Sequence, residues 1–158
     1  MPAPSSHEPA GAALDDARVT VELINDGVHV PDTMARTAAR AAGPERFALI
    51  TDAISATGMP DGLYQLGALK VNVNQGIVRL EDGSTLAGST LTMDAALRRA
   101  VRDLGLPIED AVRSASTTPA EALRLADRVG SITVGHDADL VVLDEELEVR
   151  AVMRRGAW

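Results

Sequence analysis

VTVELINDGVHV (residues 19–30) and RFALITDA (residues 46–53) decide the fold. In each, a short run of β-branched and apolar side chains ends at a turn signal. Val19 to Ile24 runs into Asn25-Asp26-Gly27, and Phe47 to Ile50 runs into Thr51-Asp52. Between them, Asp32 is placed to cap a helix reaching about Ala42, where Gly43-Pro44 stops it. Strand, helix and strand on this scale make a βαβ unit with parallel strands. The chain is therefore read as α/β.

Working outward, residues 1–18 are rich in Pro, Ala and Ser and are expected to form a loose segment. Residues 53–68 read as a long Gly-containing loop, of a length that usually serves a function. A hairpin is expected from Val71 to Leu80 around Asn74-Gln75-Gly76. Met93, Ala96, Leu97, Ala100, Val101 and Leu104 recur at helical spacing, with Thr92 as N-cap and Gly105 as stop. A second helix is expected from about Pro107 to Ser116. A third opens at Thr118-Pro119-Ala120-Glu121, a capping-box pattern with Pro at the first helical position. After Gly130 the pattern turns to strands, at about 140–143 and 149–153.

Bulk properties narrow the function. A chain of 158 residues with net charge −8 is repelled by phosphate backbones, which argues against a nucleic-acid partner. With no cysteine there is neither a disulfide framework nor a thiolate metal site. No apolar run reaches the ~18 residues of a membrane span, and the first residues lack a signal-peptide pattern, so no membrane partner and a cytoplasmic location are expected. His7, His29 and His136 are scattered, and a complete metal site from this chain alone is not expected.

The residues able to carry chemistry lie just past the two parallel strands. His29 follows the first and Asp52 the second. In an α/β barrel this is the edge where catalytic side chains converge. A His and a carboxylate there can handle a substrate and a proton. On spacing alone, an Asp at that point is more often a turn or cap residue, and a lone His more often a structural hydrogen-bonder. Likewise LAGSTLTM (residues 86–93) is either a tight capped loop or a place where a ligand, an anion above all, approaches backbone at a helix start.

Four runs taken together carry a resemblance: ELINDGVHV (22–30), ALITDAISATGMPDGLYQLG (48–67), LEDGSTLAGSTLTMDAALRRAV (80–101) and TTPAEALRL (117–125). In content, order and spacing they are similar to the N-acetylglucosamine-6-phosphate deacetylase family of the amidohydrolase superfamily. The close, GSITVGHDADLVVLDEELEVRAVMRRG (130–156), resembles the end of many amidohydrolases. The resemblance implies an incomplete (β/α)8 barrel, made of its last two strands and the helices after them over 19–127. Strands of a small β-sandwich follow over 128–158. It implies hydrolysis of N-acetylglucosamine-6-phosphate to glucosamine-6-phosphate and acetate, with a divalent metal such as Zn²⁺ in the complete enzyme. Asp52 matches the family's general base and acid, and is a possible contributor to the metal site. His29 matches the histidine that contacts the sugar-phosphate substrate, and Ala87 and Gly88 fall in the loop lining the substrate pocket.

Departures from the family pattern set further expectations. The metal-binding Glu and two His of the family lie before the matched stretch, the last in a His-Leu-Phe-Asn-Ala-Met run whose Met matches Met1. His7 stands where the family has a phosphate-binding Arg, and Pro31 follows Val30 where a second His is common. Six barrel strands are then unaccounted for, and the apolar faces at 93–104 and 140–143 are expected to lose their cover. The leading expectation is a C-terminal portion that is inactive and binds no metal alone. The alternatives are one half of a split deacetylase, partnered by a chain carrying the missing N-terminal half, and a non-catalytic remnant binding sugar phosphate or protein. The family is usually homodimeric.

Overall fold

Two parallel strands flanking a helix form the centre of the chain. The computed structural model describes residues 8–158, and the readings of Met1 and His7 lie outside the described residues. Strand β1 (Val21–Ile24), helix α2 (Asp32–Ala42) and strand β2 (Phe47–Ile50) make the expected βαβ unit, with Leu23 opposite Leu49 in the parallel register. Phe47, Ala48 and Leu49 are all buried, so β2 is covered on both faces, as a parallel strand between helices must be. The core around it is built from Leu23, Phe47, Leu49, Leu97 and Leu104, with Ala35, Ala39, Ala100 and Ala111 letting the helices approach closely.

Asp32 does not cap α2. Pro31 holds the N-cap position, its φ of −58° already preset, and Asp32 lies in the first turn with its carboxylate turned to Arg99. Gly43 ends the helix at φ +69°, as expected. The segment expected to be loose carries helix α1 (Glu8–Asp15). Its stabiliser lies some thirty residues away. The guanidinium of Arg46 donates to the carbonyls of Ala13, Leu14, Asp16 and Val19, supplying the donors that a helix C-terminus lacks.

The expected long loop also contains a strand. β3 (Gly62–Leu66) pairs antiparallel with β4 (Leu69–Asn74), which pairs with β5 (Ile77–Leu80), giving a three-stranded meander. Val71 and Val73 alternate with exposed neighbours along β4 and pack on Val78, Ile54 and Ala56 to form a second core.

Helix α3 (Met93–Arg102) starts at Thr92 and buries Ala96, Leu97 and Ala100. It packs against β2 and α4 (Ile108–Val112), so the face expected to lose its cover is covered. The expected second and third helices run into one another: α4 continues through a π turn (Arg113–Thr117) into α5 (Thr118–Ala122). The capping box at Thr118 does not form. Thr118 has helical dihedrals, and its hydroxyl, on a side chain 1% exposed, donates instead to the Pro44 carbonyl at 2.6 Å. Glu121 pairs with Arg113. The chain ends in the antiparallel pair β6 (Leu140–Leu143) and β7 (Val149–Met153), where the cross-strand partners Val141 and Val152 are both exposed. No described helix is long and apolar enough to cross a membrane.

Candidate active site

Asp52 leaves β2 with φ +48°, a left-handed conformation that an L-residue adopts only when its surroundings hold it there. Ser89 does the holding. Its N–H donates to the Asp52 carbonyl at 2.8 Å, and its own carbonyl accepts from Ile54 N–H at 2.9 Å. Its hydroxyl donates to the Thr51 carbonyl at 2.5 Å and accepts from Leu91 N–H at 3.0 Å. Ala53 and Ser89 are thereby bridged in parallel, and the sheet gains a single further rung beyond β2.

Gly88 makes this close approach possible. Its φ is +78°, and a Cβ there would stand 2.6 Å from Ile54 Cγ2, 3.0 Å from the Asp52 carbonyl oxygen and 3.7 Å from Asp52 Oδ2. The exposed Asp52 carboxylate therefore lies beside bare backbone. It opens on a cavity of about 630 Å³, lined among others by Ser55, Gln65, Thr85, Ala87 and Gly88. The volume falls within the range of small-molecule sites. Sequence reasoning named Asp52, Ala87 and Gly88, and the structure brings the three to one cavity.

His29 belongs to a separate cluster at the same sheet edge, past the C-terminal end of β1, and does not line that cavity. Its Nδ1 lies 2.7 Å from Asp26 Oδ2, and Asp26 Oδ1 accepts from Val28 N–H at 2.8 Å and His29 N–H at 2.9 Å. Burial pushes the Asp26 carboxyl up. The hydrogen bonds from His29 N–H, Val28 N–H and the His29 ring outweigh it and hold the group below the usual carboxylate range. An ionised carboxylate only accepts, so the hydrogen between the pair resides on Nδ1, and Nε2 is left for a ligand.

Behind this loop, Asn25, 1% exposed, donates from Nδ2 to the Ala96 carbonyl at 2.9 Å, and Arg99 donates to the Asn25 carbonyl at 3.1 Å. Asp26, Ser89 and Arg99 escaped the sequence reading. Asn25-Asp26-Gly27 carried only a turn signal, Ser89 only a loop signal, and Arg99 lay on the polar side of an amphipathic helix. The anion-binding reading of the α3 start is weakened by Asp94, whose carboxylate occupies the first turn and pairs with Arg98. Among the described residues, no three His, Cys, Asp or Glu side chains come together as a metal site, so the donor set here does not fit a divalent ion.

Known proteins resemble this arrangement over nearly its whole length. The model of the Amidohydrolase family matches residues 5–158. N-acetylglucosamine-6-phosphate deacetylase of Vibrio furnissii is 42% identical over 146 residues, 92% of this chain and 36% of that protein. A putative N-acetylgalactosamine-6-phosphate deacetylase of Escherichia coli (strain K12) is 43% identical over 147 residues, 92% of this chain and 86% of that protein. An aspartate-to-alanine variant of N-acetyl-D-glucosamine-6-phosphate deacetylase from Mycobacterium smegmatis, solved in complex with N-acetyl-D-glucosamine-6-phosphate, superposes with TM-score 0.89. It is 50% identical, over 95% of this chain and 40% of that one. The chain thus spans little more than a third of the Vibrio protein and most of the Escherichia protein.

Proposed function

The chain belongs to the amidohydrolase family, and from that premise we propose that it carries the proton-transfer side of an amino-sugar phosphate deacetylase. β1 and β2 correspond to the last two strands of a (β/α)8 barrel, and β6 and β7 to strands of a small β-sandwich. Asp52 is the general base and acid. It takes a proton from the attacking water as the water oxygen bonds to the acetamide carbonyl carbon. It returns that proton to the nitrogen as the C–N bond breaks, releasing acetate and the free amine. His29 meets the sugar phosphate through Nε2, and Ala87 and Gly88 let the substrate approach backbone.

The observation that carries this reading is the Asp52 carboxylate, set beside Gly88 on an open cavity by four hydrogen bonds through Ser89. The residues described here do not assemble a metal site. The ligands for the divalent metal that the family uses therefore come from outside them, and no step is routed through it. On this reading the residues described here do not turn over substrate by themselves, and the remaining barrel strands with their metal ligands complete the site.

Acetate release from N-acetylglucosamine-6-phosphate tests the proposal. The purified chain with Zn²⁺ is expected to release none. Co-expressed with a polypeptide carrying the other barrel strands of an amidohydrolase, it is expected to release acetate, and Asp52→Asn to abolish that release. Release by the chain alone would overturn the account of the metal ligands. Release surviving Asp52→Asn would overturn the role of Asp52. The galactosamine epimer belongs in the same assay, because the Escherichia relative covered over 86% of its length is named for that sugar.

A further inference from the structure

We infer that Arg99, on helix α3, is a positioning residue for His29, an inference that rests on the substrate-contacting role proposed for that histidine. The loop bearing His29 has two fixed ends: Asn25, which follows β1, and Asp32, which starts α2. One guanidinium touches both. Arg99 Nε donates to the Asn25 carbonyl at 3.1 Å, and Nη2 donates to Asp32 Oδ1 at 2.7 Å. Nη1 lies 3.0 Å from Asp103 Oδ2, one turn along its own helix, which fixes the plane of the group. Three directed contacts from a planar fork suit an arginine and no other side chain.

Gly27 closes over the clamp. Its φ is +76°, and a Cβ there would stand 2.4 Å from Arg99 Nη2. The chain therefore turns directly on the guanidinium. Between the two clamped ends, Asp26 points inward and gathers the Val28 N–H, the His29 N–H and the His29 ring. Arg99 does not touch His29. It sets the span of the loop within which Asp26 and His29 meet, and so which ring nitrogen carries hydrogen.

A purely structural role, docking α3 to the sheet, is already filled by other groups. The buried Asn25 amide bonds to Ala96, and Arg36 donates to the carbonyls of Asp103 and Leu104 at the far end of the helix. Arg98 is the matching internal control. Adjacent on the same helix, it donates to the Leu147 carbonyl and pairs with Asp94 and Glu148, with no contact to the His29 loop.

Imidazole nitrogen NMR on the purified chain tests this without requiring activity. Spectra are taken at about pH 8.5, where an ordinary imidazole is neutral. His29→Gln assigns the signal among the three histidines. In the wild type, His29 is expected to show a protonated Nδ1 with slow exchange and a bare Nε2. Arg99→Gln is expected to lose the slowly exchanging Nδ1–H and move both nitrogens toward the averaged shifts of a free ring. Arg99→Lys should fall between them, and Arg98→Gln should match wild type.

An unchanged His29 signature in folded Arg99→Gln overturns the inference, as does an equal change in Arg98→Gln. Should Arg99→Gln fail to fold, Asp32→Ala removes the acceptor and cuts only the α2 end of the clamp. It is expected to shift the signature in the same direction, and an unmoved signature there is equally fatal. Titration with N-acetylglucosamine-6-phosphate of the chain co-expressed with the other barrel strands, as in the acetate assay, separates the two layers. A His29 signal indifferent to the sugar phosphate, but sensitive to Arg99→Gln, sinks the substrate role and leaves the positioning role standing.

Discussion

Replacing Gly88 with alanine puts a single methyl group where the site has no room for one. Two costs add. The first is conformational: φ is +78°, and an L-residue in that region costs about 1–2 kcal/mol. The second is steric: the new Cβ would lie 2.6 Å from Ile54 Cγ2 and 3.0 Å from the Asp52 carbonyl oxygen. Neither neighbour yields easily, since Cγ2 sits on a stiff β-branched carbon and the carbonyl accepts from Ser89 at 2.8 Å. Overpacking of this kind costs about 1–3 kcal/mol. Gly83→Ala isolates the first cost, because Gly83 has φ +74° and nothing within 4 Å of its notional Cβ. Gly88→Ala should therefore unfold about 1–3 kcal/mol more easily than Gly83→Ala. For a chain of this size that difference is roughly 2–12 °C in Tm. Urea unfolding followed by far-ultraviolet circular dichroism measures it. Equal midpoints for the two variants would mean that the Gly88–Asp52 approach is looser than described, and the argument for a rigidly placed Asp52 would fall with it.

Other perturbations reach other joints of the molecule. The Asp26 carboxyl titrates below its ordinary range in the folded chain, so its stabilising contribution is present above about pH 4 and is lost as pH falls through the folded value. The stability gap between wild type and Asp26→Asn should be widest near neutrality and close on acidification, and urea midpoints showing a gap independent of pH would contradict this. Thr118→Val leaves the Pro44 carbonyl without its donor and should cost about 1–3 kcal/mol in urea unfolding, whereas Thr118→Ser should cost far less; equal losses would point to packing instead of the hydroxyl. Arg46→Met removes the donors to the end of α1, and hydrogen exchange should accelerate over residues 8–18 while β2 stays protected; unchanged protection there would show that α1 is held by packing alone.

How much of this was readable in advance depends on how far apart the interacting residues lie. β1, α2, β2 and α3 were legible because their apolar periodicity coincides with their burial, as Leu97 and Ala100 illustrate. β3 was not, because Gly62-Leu63-Tyr64-Gln65-Leu66 becomes a strand only when β4 offers an edge, with Tyr64 opposite Val71. Thr118 satisfied every local rule for a cap, yet its hydroxyl found a carbonyl 74 residues back along the chain. The site divides in the same way. Asp52 and His29 announced themselves by following strands. Ser89 and Arg99 act across 38 and 74 residues, through bonds that no local pattern encodes.

The clamp at Arg46 also governs how the chain carries load. A pull on the amino terminus travels down α1 and arrives at one side chain, which gathers the carbonyls of Ala13, Leu14, Asp16 and Val19. That side chain is rooted one residue before β2, and Val21 N–H is bonded to the Arg46 carbonyl at 2.7 Å. Tension along α1 therefore reaches the start of β2 through Arg46 as well as the start of β1 through the backbone, and the two parallel strands share it from the same end.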